Sequence, residues 1–488
     1  MNKNTDSAEL FVGRKEELKL LERLYRSKQA EFLAIYGRRR IGKTFLVRHF
    51  FRNKGIFFTI TGSPNAKREE QLLNFHREYC ALFCPEGPLK PPKNWSEAFF
   101  RLKEAVKKIQ PEQKVVLFFD ELPWLSSPKS GFLSALDYSW NQHLSWIPNV
   151  LLIVCGSAAA WMVNQVLNNK GGLYGRLSAH LRLVPFTLSE TELYLQSRGI
   201  QLPRQQICEI YMVTGGVPKY LSYLEPGRSV AECIERLCFT PQAPLLTEFH
   251  KLYHSLFRHP ESHIEIVKTL AKARHGLDQR TLLKKAKLSK SGRVSDILNE
   301  LLESGFLMKV PKVGKEAREA HYYLSDEYSF FYLNWIDEAK GELLQGNEEH
   351  YWLKRQNSQS FRIWAGYAFE TLCLKAIDKI KAALGISAVS TTTGYWRSDH
   401  NGKKEVEVDL VIDRKDGCIN LAEIKFYQHP LEMNQDMAKD LQLKKALFQS
   451  RTGTKKALFT VLISASGVIE NPAFLSSVDH QITVDELF

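Results

Sequence analysis

The sequence predicts an α/β fold with a parallel sheet in the N-terminal part of the chain. Short apolar runs alternate there with helical stretches. The runs are rich in β-branched and aromatic residues, as in the buried strands of parallel sheets. A phosphate-binding pattern directly follows the first run. The chain has 488 residues, which gives room for about three domains.

Five apolar runs are the predicted strands of this sheet, and the helical patterns between them indicate βαβ units. The runs are residues 31–36, 56–61, 114–119, 149–155 and 180–185. After them comes a helical region that is broken by a Gly-Gly-Val-Pro sequence. Three short helical patterns and two strand-like runs follow, and the last part of the chain combines a helix, a β-rich stretch, a second helix and a strand.

The composition is that of a globular protein, which argues against a disordered or fibrous chain. Lys and Arg total 67, Asp and Glu total 54, and the net charge is +13. This excess favours a polyanionic partner, with nucleic acid ahead of an anionic membrane surface. The eight cysteines form no C-x-x-C pair, so reduced thiols are expected. We find no apolar signal core and no stretch long enough to span a membrane, and we expect a cytoplasmic protein.

The strongest motif is a G-x-x-x-x-G-K-T pattern that follows an apolar strand and opens a helical run. Its glycines let the backbone wrap phosphates, and the helix N-terminus points N–H groups at the anion. We expect Lys43 to bridge the β- and γ-phosphates of ATP and Thr44 to hold Mg²⁺. The nucleotide-binding residues predicted here are Gly37, Arg38, Arg39, Arg40, Ile41, Gly42, Lys43 and Thr44. The three arginines could instead form a solvated basic loop.

Polar residues at the ends of two other predicted strands support a nucleotide site. Asp120 is expected to bind the Mg²⁺ hydration shell, and Glu121 to orient or deprotonate the attacking water. The alternative is a pair of solvated carboxylates just past a strand end. Ser157 ends another apolar strand, where it would sense the γ-phosphate or simply cap the strand. Arg176 is either an arginine finger or a lone surface arginine.

Three stretches resemble the archaeal-type prokaryotic ATPases, which are P-loop proteins related to AAA+ and signal-transduction ATPases. Residues 11–18 resemble their adenine-side box, residues 36–44 are similar to their phosphate loop, and residues 215–220 resemble their helical-lid motif. The resemblance implies that Val12 and Arg14 bind the nucleotide. It also implies an ATPase core at residues 1–190, a helical lid at residues 191–258, and a possible homo-oligomer formed through the ATPase domain.

Members of this family often carry a winged helix followed by a restriction-endonuclease-like domain, and the rest of the chain fits both. A winged helix-turn-helix is expected at residues 259–345 and the nuclease-like domain at residues 346–488. Between Lys268 and Arg293 there are nine Lys or Arg residues and one acid, Asp278. Such a basic face is typical of phosphate contact. A protein-docking or interdomain module is the alternative.

Asp409, Glu423 and Lys425 resemble the D…E-x-K core of restriction-type nucleases. Glu423 and Lys425 are two positions apart on a predicted strand, so they share a face. The resemblance implies that the two carboxylates hold Mg²⁺ while the lysine steadies the attacking hydroxide or the developing charge. Glu370 is a further expected metal ligand, and Gln442 is expected to position substrate. The alternative is a domain of this fold that only binds.

Two functions are therefore open. The first is a nucleic-acid enzyme, acting on DNA rather than RNA, in which the ATPase controls a metal-dependent nuclease. The second is a signalling or scaffold ATPase whose winged-helix and nuclease-like domains only bind DNA or protein partners. The Asp409, Glu423 and Lys425 set favours the first function. The nearly neutral charge of the last part of the chain favours the second.

Overall fold

The computed structural model describes residues 11–84, 90–168, 173, 175–273, 275–313, 320–346, 348–398 and 406–488. The chain divides into two compact units, and the division falls between Pro185 and Phe186. No helix in the ranges given above is long and apolar enough to cross a membrane.

The first unit is a five-stranded parallel sheet between two layers of helices. Its elements are α1 (Lys15–Arg26), β1 (Glu31–Tyr36), α2 (Lys43–Phe51), β2 (Ile56–Thr61), α3 (Arg68–Phe83), α4 (Trp95–Lys107), β3 (Val115–Asp120), α5 (Leu122–Leu125), α6 (Phe132–Gln142), β4 (Val150–Gly156), α7 (Ala159–Met162) and β5 (Ala179–Arg182). The strand order is β2-β3-β4-β1-β5.

The strands lack an alternating pattern because both faces of the sheet are covered. In β3, Leu117 and Phe119 join one apolar cluster, whereas Val116 and Phe118 join the cluster on the opposite face. The carboxyl ends of β1, β3 and β4 lie side by side, so the residues that follow these strands share one edge of the sheet. This edge is where parallel α/β sheets bind ligands.

The fifth strand differs from its predicted span of residues 180–185. It covers Ala179–Arg182, and the N–H of Leu183 makes the last bond to β1 by donating to the carbonyl of Tyr36 at 2.8 Å. The chain then leaves the sheet, which agrees with Pro185 having no N–H to donate to a ladder. The missing N–H of a proline can end a strand, whereas the apolar run alone does not show where the strand ends.

The second unit holds the remaining elements. They are α8 (Leu188–Ser197), α9 (Arg204–Thr214), α10 (Pro218–Leu221), α11 (Val230–Cys238), α12 (Glu248–Leu256), α13 (Glu261–Ala271), β6 (Leu277–Asp278), α14 (Gln279–Lys285), α15 (Gly292–Glu303), β7 (Leu307–Val310), β8 (His321–Leu324), α16 (Glu327–Phe331), α17 (Lys340–Gln345), α18 (Tyr351–Arg355), α19 (Gln359–Lys375), α20 (Ile377–Ala383), β9 (Thr391–Arg397), β10 (Glu407–Arg414), β11 (Cys418–Lys425), β12 (Leu431–Glu432), α21 (Gln435–Thr452), β13 (Ala457–Ser464), β14 (Val468–Ile469), α22 (Pro472–Leu475) and β15 (His480–Thr483).

Two sheets organise this unit. The first, β6-β8-β7, is antiparallel and packs with α13, α14 and α15. The second has the order β15-β13-β11-β10-β9, with antiparallel pairing from β9 to β11 and parallel pairing from β11 to β15. The segment after β7 joins the edge of this second sheet, because Val313 N–H donates to the Tyr395 carbonyl at 2.9 Å and Tyr395 N–H donates to the Pro311 carbonyl at 3.1 Å.

One apolar cluster runs through the whole second unit. It includes Leu195 of α8, Ile234 of α11, Ile266 of α13, Trp364 of α19 and Ile463 of β13. The predicted lid, winged-helix and nuclease-like regions therefore contribute side chains to a single core.

Candidate functional site

The phosphate loop lies between β1 and α2 at the carboxyl edge of the first sheet. Gly37 has a φ of +146°, and a Cβ there would lie 2.2 Å from the carbonyl oxygen of Leu183. Gly42 has a φ of +90° directly before α2 begins at Lys43. Both backbone positions favour glycine, and together they aim the N-terminus of α2 into the loop.

Lys43 is buried inside this loop. Its Nζ donates to the carbonyls of Gly37 and Arg38, both at 2.8 Å, and to Oγ of Ser157 at 3.0 Å. Burial lowers the pKa of Lys43, because the charged form loses water. An ammonium held by neutral carbonyl and hydroxyl oxygens is suited to exchange them for phosphate oxygens.

The residues predicted to handle Mg²⁺ and water converge on the same edge. Thr44 Oγ1 donates to Oδ2 of Asp120 at 2.7 Å. Ser157 Oγ donates to Oε1 of Glu121 at 2.5 Å, so Ser157 joins Glu121 to Lys43. Glu121 has a φ of 49°, a strained value for a non-glycine residue at a strand end. Hydroxyl and carboxylate oxygens are the ligands Mg²⁺ prefers, so Thr44 and Asp120 fit this ion.

The residues before and within the loop have different exposures. Arg14 is 4% exposed, and its guanidinium donates to the carbonyls of Val184 at 2.6 Å and Ile41 at 3.3 Å. It therefore braces the loop from outside, while Val12 lies half-buried two positions earlier. Arg38 is buried, whereas Arg39 and Arg40 are exposed. The sequence left these arginines undecided between phosphate contact and a solvated loop, and their roles in nucleotide binding remain predictions.

Aromatic side chains lie beside the phosphate loop, a feature that the sequence analysis did not describe. Phe11 stacks on His49 with ring centroids 4.7 Å apart, and Phe45 lies 5.6 Å from His49 and is 41% exposed. This aromatic surface adjoins the adenine-side box. Arg176 is exposed, which suits an arginine that acts on another molecule and a plain surface arginine equally, so its finger role remains a prediction.

A second polar cluster lies on β10 and β11 of the C-terminal sheet. Asp409 Oδ2 accepts the backbone N–H of Ile424 at 2.8 Å. Glu423 is 7% exposed, and its Oε1 lies 2.8 Å from Nζ of Lys425. Burial, with Glu423 adding to it, raises the pKa of Asp409 to about 7. The structure thus brings together the three residues that the sequence predicted.

Lys444 is a member of this cluster that the sequence analysis missed. Its Nζ lies 2.6 Å from Oε2 of Glu423, whereas Gln442, the residue expected to position substrate, is exposed on the same helix. Leu441 and Phe448 are buried, and Lys444 lies between them at helical spacing on the inner face of α21. This periodicity is the signal in the sequence that points to Lys444, and a role of Gln442 in positioning substrate remains a prediction.

Glu370 does not complete a set of three ligands with Asp409 and Glu423. It lies on α19 in a narrow cleft lined by Tyr323 and Tyr367, and burial raises its pKa well above the usual range. Across the described residues, no group of three or more His, Cys, Asp or Glu side chains is arranged to hold a metal. Two carboxylates with waters and substrate oxygens are nevertheless a common Mg²⁺ arrangement, so Asp409 and Glu423 fit the ion.

The basic stretch predicted to contact phosphate is exposed on α14, on α15 and on the loop between them. Asp278, its one acid, caps α14 by accepting the N–H of Thr281 at 3.0 Å. Arg274 lies outside the described residues. The exposed cations are Arg280, Lys284, Lys285, Lys287, Lys290 and Arg293. In the described part of the chain none of these six forms an ion pair, so their charge is available to an external anion.

Comparison with known proteins finds a match to a family model and a small number of curated relatives. Residues 11–224 match the model of an ATPase domain found predominantly in Archaea. An uncharacterised protein of Methanocaldococcus jannaschii is 24% identical over 405 residues, which are 82% of this chain and 84% of that protein. An uncharacterised ATP-binding protein of the same organism is 51% identical over 47 residues, or 10% of this chain and 80% of that protein.

Solved structures are similar to this chain at low identity. A Walker-type ATPase of Pyrococcus abyssi has 19% identity and a TM-score of 0.48, covering 66% of this chain and 96% of that one. The ORC2 protein of Aeropyrum pernix, in complexes with ADPNP and ADP, has 15% identity and a TM-score of 0.43, covering 71% and 97%. The family match contains the whole phosphate loop and supports an ATPase domain at residues 11–224.

Proposed function

We propose that this protein hydrolyses ATP and acts on nucleic acid, DNA rather than RNA, through a metal-dependent nuclease site that the ATPase controls. The main observation in support of ATP hydrolysis is the pair of hydrogen bonds that connects Lys43 through Ser157 to Glu121. Lys43 and Glu121 contact the same hydroxyl, which supports their proposed roles as phosphate-binding cation and carboxylate base. We also propose that the chain forms a homo-oligomer through its ATPase domain.

Each residue of the nucleotide site has a separate task. Lys43 and the N-terminus of α2 bind the β- and γ-phosphates, while Thr44 and Asp120 hold Mg²⁺. Bound Mg²⁺ neutralises charge on the phosphate oxygens. Glu121 accepts a proton from the attacking water, and Ser157 fixes the direction of that carboxylate. Water oxygen bonds to the γ-phosphorus as the bond to the bridging oxygen breaks, giving ADP and phosphate.

The ATPase proposal is tested by two substitutions with different expected results. Lys43→Ala removes the phosphate-binding cation, so ATP binding should be lost in calorimetry. Glu121→Gln keeps the shape and the hydrogen bond to Ser157 but cannot take a proton, so binding should persist while phosphate release falls by about 100-fold or more. Wild-type protein that shows no affinity for ATP contradicts the proposal.

The nuclease part is supported by the convergence of Asp409, Glu423 and Lys425. Its test is incubation of the protein with DNA and RNA, with Mg²⁺ or Mn²⁺, and with and without ATP. Asp409→Asn should remove metal-dependent cleavage while ATP hydrolysis continues, because the two sites lie in separate units. Equal cleavage by the variant and the wild type would identify a contaminating nuclease. If the wild type cleaves no substrate, the nuclease proposal is wrong.

A scaffold ATPase is the second candidate, and one observation favours it. The segment after β7, where a winged helix has its wing, is paired to the edge strand β9 through Tyr395. A wing used in this way is a docking element inside the protein rather than a nucleic-acid contact. Wild-type protein that hydrolyses ATP but neither binds nor cleaves nucleic acid would identify this second function.

A further inference from the structure

We propose that Lys444 is a second functional cation of the C-terminal site, which competes with a divalent metal for Glu423 and, once displaced, contacts the scissile phosphate. The inference rests on the proposed nuclease function and goes beyond the D…E-x-K pattern, which contains only Lys425. It assigns to α21 a residue that acts on the substrate.

The geometry shows that both oxygens of Glu423 are already taken. Lys425 Nζ lies 2.8 Å from Oε1, and Lys444 Nζ lies 2.6 Å from Oε2. The two lysines reach the carboxylate from different elements, β11 and α21. A divalent ion bound by Glu423 would be repelled by both ammonium groups, so its binding favours the displacement of at least one of them.

Lys444 is the lysine with a second carboxylate within reach. It contacts Glu423 from a helix, whereas Lys425 lies two residues from Glu423 on the same strand. Asp440, one turn earlier on α21, lies 3.6 Å from Lys444 Nζ and offers a second place for the charge. Lys444 also lines a small cleft with Glu423, Lys445 and Thr460.

The charges explain why a second lysine is useful to the reaction. Asp409 and Glu423 supply two carboxylates, and Lys425 and Lys444 supply two ammonium groups. Asp409 and Glu423 would hold the metal, and Lys444 would then be a free cation able to contact the phosphate. In hydrolysis a water oxygen bonds to phosphorus, the bond from phosphorus to the leaving sugar oxygen breaks, and that oxygen takes a proton. Lys444 stabilises the extra negative charge on the non-bridging oxygens.

The chain contains a matched control in Lys445. It follows Lys444 on the same helix, but its Nζ lies 3.5 Å from Oδ2 of Asp479 instead of Glu423. Substitution of either lysine removes one positive charge from α21. Only the loss of Lys444 vacates an oxygen of the candidate metal ligand.

The first experiment measures Mn²⁺ binding to the full chain by calorimetry, with no substrate present. Lys444→Met should bind Mn²⁺ about tenfold more tightly than wild type, because one charged competitor for Glu423 is gone. Lys445→Met should bind it as wild type does. A Lys444→Met variant with unchanged or weaker Mn²⁺ affinity overturns the proposal, and thermal unfolding verifies that both variants are folded.

The second experiment measures single-turnover cleavage at saturating Mn²⁺. Lys444→Met should cleave about 100-fold more slowly than wild type, Lys444→Arg should recover most of the rate, and Lys445→Met should match wild type. Tighter metal binding joined to slower chemistry is a pair of changes that a merely structural lysine would not produce. If wild type cleaves nothing, the nuclease function fails, whereas the Mn²⁺ affinities still decide whether Lys444 competes for Glu423.

Discussion

Glu209 shows how one residue makes the stability of the second unit depend on pH. It lies on α9 and lines a small cavity with Trp352 and Trp364. Burial raises the pKa of Glu209 from 4.5 to about 7. Between these values the folded protein keeps a proton that the unfolded chain has released, so the free energy of unfolding falls as pH rises through this window. Above about pH 7 the loss is complete.

Replacing Glu209 with Gln should remove this dependence. The difference in melting temperature, variant minus wild type, should grow from pH 5 to pH 7 and stay constant at higher pH, because a neutral amide carries no desolvated charge. Thermal unfolding in a series of buffers measures it. A difference that is the same at every pH would show that Glu209 has the same pKa in the folded and unfolded protein, which contradicts the raised pKa.

At the same scale, sequence predicted the residues that belong to short motifs and missed those placed by packing. Lys43, Thr44 and Glu121 follow directly from a loop and a strand end, so local pattern locates them. The contact of Lys444 with Glu423 joins residues 21 positions apart on a helix and a strand. Arg14 likewise reaches Val184 across 170 positions. Such pairs depend on tertiary structure that no local pattern encodes.

Among elements, helices α14 and α15 present several exposed cations that form no ion pair within the described residues. Four of the five strands of the first sheet were predicted to within one residue, because buried parallel strands have continuous apolar sequences. The sequence gives no comparable indication of whether a basic side chain is exposed to solvent. The structure supplies it, since Lys284, Lys285 and Arg293 are all exposed.

Changing these three residues to Ala together should weaken DNA binding and reduce its salt dependence. Each lost phosphate contact lowers the slope of log K against log salt by about 0.9 on duplex DNA. The measurement is fluorescence anisotropy at several salt concentrations. A control with Arg52, Lys107 and Lys108 changed to Ala removes the same charge from the first unit. If both triple variants keep the wild-type slope, this face does not bind nucleic acid.

At the scale of the whole molecule, the four domains predicted from the sequence and the two compact units of the structure describe different properties of the chain. The phosphate loop, the lid motif and the basic stretch mark functions along the chain, whereas the units reflect which apolar residues share a core. Trp352 illustrates the difference, because its ring stacks on Phe239 with centroids 5.6 Å apart and its backbone N–H donates to Glu235 Oε2 at 2.8 Å. Both partners belong to the predicted lid, more than a hundred residues earlier in the chain.

The shared core predicts how the protein can be divided. A fragment of residues 186–488 should fold and unfold in one cooperative transition. A fragment of residues 259–488 lacks α8 to α12 and so exposes the core side chains that these helices cover, including Trp352 and the partners of α9 on α16 and α19. Burial of one large side chain contributes about 2 kcal/mol or more, so losing several exceeds the stability of a typical domain. Circular dichroism melts measure this directly. If the shorter fragment melts as sharply and at the same temperature as the longer one, the predicted lid is a separate domain and the single core is not required for folding.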